Sequence, residues 1–185
     1  MEFNRREALA LGFAMMLPVP ALSEQAASGD DVLSALSFAP WIGDGPASRR
    51  HVYVVFAPWC PVCKVLFQRT RGARDGVQLR WVASGSRDDR AINQNLNAVT
   101  SRSLEMLTRI FLQPEAEIED LQKNTQALLA LALSEGTVKT IRPKINLTGY
   151  PTLIFPDGRG GKHVITGVPK ELGAMYAHVG AETNL

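Results

Sequence analysis

The chain has only two cysteines, and they stand three positions apart in the segment 59–63 (WCPVC). An apolar run at 52–56 (VYVVF) precedes this segment and reads as a buried strand. When such a strand leads into a helix that begins at the motif, the first sulfur lies at the helix N-terminus, where unpaired N–H groups and the helix dipole favour negative charge. The thiolate is the form that attacks a disulfide, and a second thiol one turn further along can close an internal disulfide and release the partner. The spacing therefore predicts redox chemistry, with Cys60 as nucleophile and Cys63 as resolving thiol.

A cysteine pair at this spacing can also hold a metal ion or form a purely structural disulfide. A structural zinc site needs two more sulfur or imidazole ligands, but the three histidines, His51, His163 and His178, are scattered singly. A structural disulfide across so short a loop constrains the unfolded chain little. A two-coordinate copper(I) site remains the alternative, because soft thiolates suit that ion. It would make the chain a metallochaperone or a metal-site assembly factor. On the redox interpretation no metal and no cofactor is expected beyond the Cys60–Cys63 disulfide itself.

The N-terminal residues 1–23 have the pattern of a cleavable export signal. Arg5 and Arg6 precede a mainly apolar stretch at 8–17, and the small residues 21–23 (ALS) follow two prolines. The apolar stretch is too short to span a membrane as a helix, which takes about 20 residues. The paired arginines favour a twin-arginine signal over the general secretory route, although Ala8 stands where that motif usually has a large apolar residue. We expect a periplasmic protein without membrane association, in a compartment where a cysteine pair persists as a disulfide.

Composition and charge indicate a single soluble domain. The hydrophobic fraction is 45%, the charged fraction is 21%, and the net charge is only +2, with basic and acidic residues interspersed. This balance predicts neither a nucleic-acid groove nor a membrane-binding surface. We assign 24–50 to a leader, a short helix at 32–38 and a Gly- and Pro-rich loop at 39–50. The rest of the chain, 51–185, is assigned to one domain.

The first half of this domain reads as strand, helix, strand. The strand at 52–56 is continuously apolar, which predicts burial on both faces. A helix is predicted from Cys60 to about residue 71, with Val62, Val65, Leu66 and Arg69 on the side that packs on the sheet. A second strand follows at 79–83.

The next segment, about 86–145, reads as a helical insertion. Apolar residues recur at helical spacing at 104, 107, 110 and 111, and a further helix is predicted to begin at Pro114, with an acidic first turn, and to continue through the leucines at 121–131. We interpret these leucines as core packing of the insertion, with a partner-binding groove as the alternative.

A proline-led strand completes the pattern. Pro151 stands at the start of a β-rich run at 152–155, which suits a residue that cannot donate a ladder hydrogen bond. The turn at 157–158 and the run 162–166 make a hairpin, and a last helix is predicted through 172–179.

Taken in this order, the elements resemble the thioredoxin fold: α/β, with a helical insertion between the second strand and the proline-led strand. The segments that carry the resemblance are 51–56, 60–63, 148–152 (TGYPT), the hairpin 158–167 and 169–172 (PKEL). They are most similar to the catalytic domain of periplasmic disulfide isomerases of the DsbC and DsbG type. The resemblance implies a thiol:disulfide oxidoreductase or isomerase that acts on cysteine-containing exported proteins and is recycled by a membrane redox partner. The direction of electron flow stays open.

The resemblance also implies roles for single residues. It implies a cis Tyr150–Pro151 peptide beside the cysteines and a Tyr150 backbone able to pair with an extended substrate. We also expect substrate contacts from Pro151, Pro61, Val62 and Trp59, with core packing as the alternative for Trp59. Tyr150 departs from the small or β-branched residue usual at its position. The residues before 52 are too few for the dimerisation domain of those isomerases, and a monomer favours simple oxidation or reduction.

Overall fold

The computed structural model describes residues 31–71 and 74–181. The predicted export signal at 1–23 and the leader up to residue 30 lie outside the described residues. The helices of the described part are α1 Asp31–Phe38, α2 Pro61–Arg69, α3 Asp89–Ser101, α4 Leu104–Leu112, α5 Thr125–Ile141 and α6 Leu172–His178. The strands are β1 Trp41–Asp44, β2 His51–Phe56, β3 Gln78–Ala83, β4 Thr152–Pro156 and β5 Lys162–Thr166.

The five strands form one sheet in the order β1-β3-β2-β4-β5. β2 and β3 run parallel, whereas β4 is antiparallel to β2, and β1 and β5 are antiparallel to their neighbours. In this register Phe56 lies opposite Ala83, and Val55 lies opposite Thr152. Three loops therefore meet at one end of the strands: the residues that follow β2, those that follow β3 and those that precede β4.

Both faces of the sheet are covered, as the continuous apolar run of β2 predicts. Val52, Val54 and Phe56 point into the larger core, and Tyr53 and Val55 point into the smaller core beneath α1 and the end of α5. The larger core is centred on the aromatic rings of Phe56, Phe67, Trp81 and Phe111, whose centroids lie 5.3–6.0 Å apart.

The helical insertion of α3, α4 and α5 shares this core with the sheet. Phe111 of α4 contacts rings from β2, α2 and β3. Leu107 and Leu131 are buried as predicted, whereas Leu128 and Leu129 are 42% and 66% exposed. The leucine-rich stretch of α5 is thus only partly a core face.

Three predictions about local structure were wrong. The predicted loop 39–50 contains strand β1, whose pairing depends on the distant strand β3 and leaves little local signal. The segment that begins at Pro114 is not helical, and α5 starts only at Thr125 with Asn124 as its N-cap. The intervening chain is held instead by Asn93, which donates to the Glu119 carbonyl and accepts from the Leu121 N–H.

The third correction concerns α2, whose inner face was predicted wrongly. Of the four residues predicted on this face only Leu66 is buried, whereas Val62 and Val65 are 42% and 46% exposed and Arg69 is exposed too. Cys63 and Phe67 are buried in their place. Because Cys60 is the N-cap of the helix, α2 is rotated so that Cys63 points inward. Two valines beside the cysteines therefore face solvent.

His51, the first residue of β2, gives the fold a predicted pH dependence. The residue is 0% exposed and its ring stacks edge-on against Tyr53 at 4.9 Å. Burial first, and the charge of Arg80 second, lower its pKa from 6.5 to about 4, with backbone groups of Ser48 and Arg49 opposing the shift. Between pH 6.5 and about 4 the unfolded chain binds a proton that the folded chain does not, so stability falls as the pH falls through this window.

The expected loss from His51 alone is about 2 kcal/mol by about pH 5 and about 3 kcal/mol below the window. Urea unfolding of the wild type and of His51→Phe at neutral pH and at about pH 5 measures it, because the difference between the two proteins removes the contribution of the carboxylates. Equal losses in both proteins would contradict the assignment to His51.

Candidate active site

Cys60 occupies the position that the sequence predicts, at the start of α2. It is the N-cap residue, in extended backbone conformation with φ −81° and ψ 114°, and its sulfur accepts a hydrogen bond from the Cys63 N–H at 3.3 Å. Pro61 follows in the first helical turn, where its missing N–H costs no helical hydrogen bond. The N-terminal N–H groups and the helix dipole thus act on the Cys60 sulfur.

The two thiols lie in different surroundings. Cys60 is 6% exposed and lines a surface cleft, while Cys63 is 0% exposed. Burial raises the pKa of the Cys63 thiol far above its ordinary value, and the neighbouring Cys60 sulfur adds to the effect. Cys63 is therefore a protonated thiol at neutral pH, and Cys60 is the sulfur that an incoming disulfide can reach.

The proline-led strand brings a second segment to Cys60. The Tyr150–Pro151 peptide is cis, as the resemblance implies. The Cys60 sulfur lies 3.3 Å from the Tyr150 carbonyl oxygen, across a sequence separation of 90 residues. The site thus joins the start of α2 to the loop before β4.

The side chain of Tyr150 is held by residues that sequence reasoning missed. Its hydroxyl lies 3.2 Å from the Ser84 Oγ and accepts from the Arg142 guanidinium at 3.4 Å. Its ring lies over Gly85, where an added Cβ would stand 3.2 Å from the ring and 2.9 Å from the Ala57 Cβ. Gly85 also has φ +74°, which favours glycine. The sequence held a signal for Ser84 and Gly85. They directly follow β3, and residues after β3 must lie beside the residues after its parallel neighbour β2, which include the cysteines.

Trp59 forms a wall of the site and does not belong to the core. Its side chain is 37% exposed and its indole N–H donates to the Gly85 carbonyl at 2.6 Å. The Arg87 guanidinium lies 4.4 Å from its ring centroid, and the Tyr150 ring meets it edge-on at 6.0 Å. The Arg87 guanidinium and the hydrogen bond to Gly85 fix the orientation of the indole beside Cys60.

The comparisons with known proteins agree with this architecture. No family model matches the chain, and no curated protein matches it. Among solved structures it is similar to a thioredoxin-like oxidoreductase from Silicibacter pomeroyi, with TM-score 0.56 and 16% identity over 78% of this chain and 93% of that one. It is also similar to DsbA2 of Pseudomonas aeruginosa, with TM-score 0.56 and 19% identity over 75% of this chain and 91% of that one. The chain has a thioredoxin-like fold.

A third similar structure is a periplasmic thioredoxin-like protein from Salmonella enterica serovar Typhimurium, with TM-score 0.55 and 13% identity over 80% of this chain and 93% of that one. The thioredoxin-like fold with a helical insertion is therefore confirmed, and it accounts for the meeting of Cys60, Cys63 and Pro151 at one edge of the sheet. The narrower likeness to isomerases of the DsbC and DsbG type stays a prediction.

The residues predicted to contact a substrate do surround the two cysteines. Pro61 and Val62 are exposed on α2, Tyr150 is half-buried and Pro151 is buried beside Cys60. Their role in binding stays a prediction.

The described residues contain no group of three or more His, Cys, Asp or Glu residues that could hold a metal ion. The copper(I) alternative would rest on the two sulfurs alone, and the structure adds nothing in its favour. Within the same residues, no helix is long and apolar enough to cross a membrane.

Proposed function

We propose that this chain is a periplasmic thiol:disulfide oxidoreductase that exchanges disulfides with cysteine-containing exported proteins. The observation that carries the proposal is the asymmetric pair: Cys60 at the start of α2 on a surface cleft, and Cys63 buried with its N–H on the Cys60 sulfur. The periplasmic location rests on the export pattern at 1–23 and agrees with the periplasmic thioredoxin-like protein from Salmonella, which has a similar structure. A membrane redox partner would return the pair to its working state.

The exchange proceeds in two steps in the reducing direction. The Cys60 thiolate attacks one sulfur of the client disulfide, the client S–S bond breaks, and its second sulfur leaves as a thiolate that takes a proton. Cys63 then loses its proton and attacks the Cys60 sulfur, which breaks the mixed disulfide and releases the client's first thiolate. The client has gained two electrons, and its two sulfurs become thiols with one proton from Cys63 and one from solvent, while Cys60–Cys63 has become a disulfide. Oxidation of a client is the same sequence in reverse.

The proton of Cys63 needs an acceptor in the second step. Tyr53, an ionisable residue of β2, faces the smaller core, whereas Cys63 belongs to the larger core on the other side of the sheet. Tyr53 is therefore not the acceptor. We assign this role to water or to the departing client thiolate, which has just been generated beside the pair.

A redox titration combined with a turnover assay tests the proposal. We expect Cys60 and Cys63 to interconvert as a two-electron couple, and we expect the reduced protein to reduce a model disulfide repeatedly when it is recycled. A copper(I) competition assay on the same preparation separates the alternative. Tight stoichiometric copper(I) binding without dithiol turnover would overturn the oxidoreductase proposal.

A further inference from the structure

A groove runs along the surface on both sides of Trp59, and we call it the Trp59 groove. Its two halves share Pro58, Trp59, Ile110 and Pro114 as lining residues. The half that reaches Cys60 has a volume of about 150 Å³, and the half that extends toward the start of α3 has a volume of about 260 Å³. The groove thus begins at the reactive sulfur and continues between α2 and the helical insertion.

The shared walls of the groove are apolar. Trp59 is 37% exposed, and Pro114, just after α4, is exposed as well, whereas Ile110 in α4 is only 5% exposed. A side chain that packed against Trp59 and Pro114 would bury apolar surface.

The charges along the groove are mainly positive. Lys64 lines the half near Cys60, and Arg87, Asp88 and Arg90 line the other half. Asp88 is already committed, because it accepts from the Ala91 N–H at 2.8 Å as the cap of α3 and pairs with Arg87 at 3.1 Å.

The other two cations, Lys64 and Arg90, do not take part in an ion pair of this kind. Arg90 donates to the Pro114 carbonyl at 2.6 Å, which is neutral and cannot compensate a guanidinium. Neither Lys64 nor Arg90 forms an ion pair with a carboxylate of the described residues. The groove therefore carries in each half one cation that forms no ion pair, Lys64 near Cys60 and Arg90 in the other half, where the Asp88 carboxylate offsets part of the Arg90 charge.

We propose that the Trp59 groove binds the client segment that flanks the reacting cysteine, and that it selects segments in which an apolar residue stands next to one or two carboxylates. This inference rests on the proposed function, because the client reaches the groove through its bond to Cys60. In the mixed disulfide the residues beside the client cysteine lie at the mouth of the cleft that Cys60 lines. Lys64 and Arg90 would then pair with carboxylates while the apolar residue contacts Trp59 and Pro114.

A pair of model peptides tests the selection. Each peptide carries one cysteine as a mixed disulfide with a small thiol and one neighbouring leucine, and the two differ only in having two glutamates or two lysines at the flanking positions. We expect the reduced protein to react about tenfold faster with the glutamate peptide at low salt, since attraction is replaced by repulsion at two exposed sites. The ratio should approach one at about 1 M sodium chloride, because salt screens exposed charges.

Charge-reversal variants assign the preference to the groove. We expect Lys64→Glu and Arg90→Glu, made singly, each to lower the ratio severalfold and together to reverse it. Lys64→Glu guards against a folding effect of Arg90→Glu, because the Lys64 side chain is exposed on α2. The matched control is Arg159→Glu, which changes the net charge equally but lies in the hairpin between β4 and β5, at the far end of the sheet. Its ratio should equal that of the wild type.

The possible outcomes separate the two proposals. Equal rates with the two peptides, or a preference that Arg159→Glu abolishes as strongly as Arg90→Glu does, would overturn the selection by the groove and leave the oxidoreductase standing. A protein that exchanges with neither peptide would overturn both.

Discussion

Replacement of Cys63 by alanine will convert the transient mixed disulfide at Cys60 into a stable adduct. Release of the client requires attack on the Cys60 sulfur by a second thiol of the protein. Cys63 is close enough to supply it, because its backbone nitrogen lies 3.3 Å from the Cys60 sulfur. Without it the adduct persists until an external thiol cleaves it. Incubation of Cys63→Ala with a disulfide-bonded client, followed by non-reducing electrophoresis and mass spectrometry, should show close to stoichiometric capture, while turnover falls to the rate of a protein-free control.

The matched control removes the other cysteine, Cys60, and keeps Cys63. Cys60→Ala should capture nothing and turn over nothing, because Cys63 is 0% exposed and burial raises the pKa of its thiol. Adducts on Cys63 in that variant would show that the assignment of nucleophile and resolving thiol is wrong. Adducts on neither variant, in chains that remain folded, would contradict exchange chemistry altogether.

Replacement of Asp44 by alanine will give the second large effect, a loss of about 3–5 kcal/mol in the free energy of unfolding. Asp44, the last residue of β1, is 1% exposed and pairs with Arg71 and with Arg74, the latter at 2.8 Å. It also accepts from the Trp81 indole N–H at 3.2 Å. Removal of the carboxylate leaves the largely buried Arg74 guanidinium and the buried Trp81 indole N–H without this partner. These groups then stay desolvated without a compensating interaction, and this penalty causes the loss in the free energy of unfolding.

A surface ion pair provides the comparison for Asp44. Asp31 and Lys144 pair at 3.3 Å with their side chains 43% and 44% exposed, so Asp31→Ala should cost less than about 1 kcal/mol. Urea unfolding of both variants at neutral pH measures the difference. Exchange activity of folded Asp44→Ala should match the wild type, because β1 pairs Asp44 with Leu79, at the end of β3 away from the cysteines. Equal stability losses in the two variants would contradict the buried-pair argument.

Local patterns explain why much of the site could be predicted. The strand before the cysteines, the start of α2 at the motif and the proline-led hairpin each depend on residues that are neighbours in the chain, so composition and spacing carry them. Cys60 could be assigned as N-cap nucleophile because a CxxC motif after a buried strand leaves few other positions for its sulfur. The resemblance to thioredoxin-like proteins added Pro151, which no local pattern would have placed beside Cys60.

The errors share a different cause. The inner face of α2 was predicted from apolar spacing, which gave Val62 and Val65 to the core. The N-cap at Cys60 and the aromatic cluster around Phe67 set the helix rotation instead. Likewise β1 exists because β3 offers it a partner. These features depend on contacts between distant segments, and a local apolar pattern does not record them.

The sequence by itself predicted the cysteine pair, the order in which its thiols react and the type of fold, because these predictions follow from the chemistry of thiols at a helix start, from local periodicity and from the family resemblance, and the fold is confirmed. Tertiary structure alone decided which surface surrounds Cys60: Gly85 beneath Tyr150, Arg87 over the Trp59 ring, and Lys64 and Arg90 along one groove. The reason is physical. Their side chains come from α2, the end of β3 and the helical insertion, and only the packing of these elements against one sheet brings their charges and apolar faces within reach of Cys60.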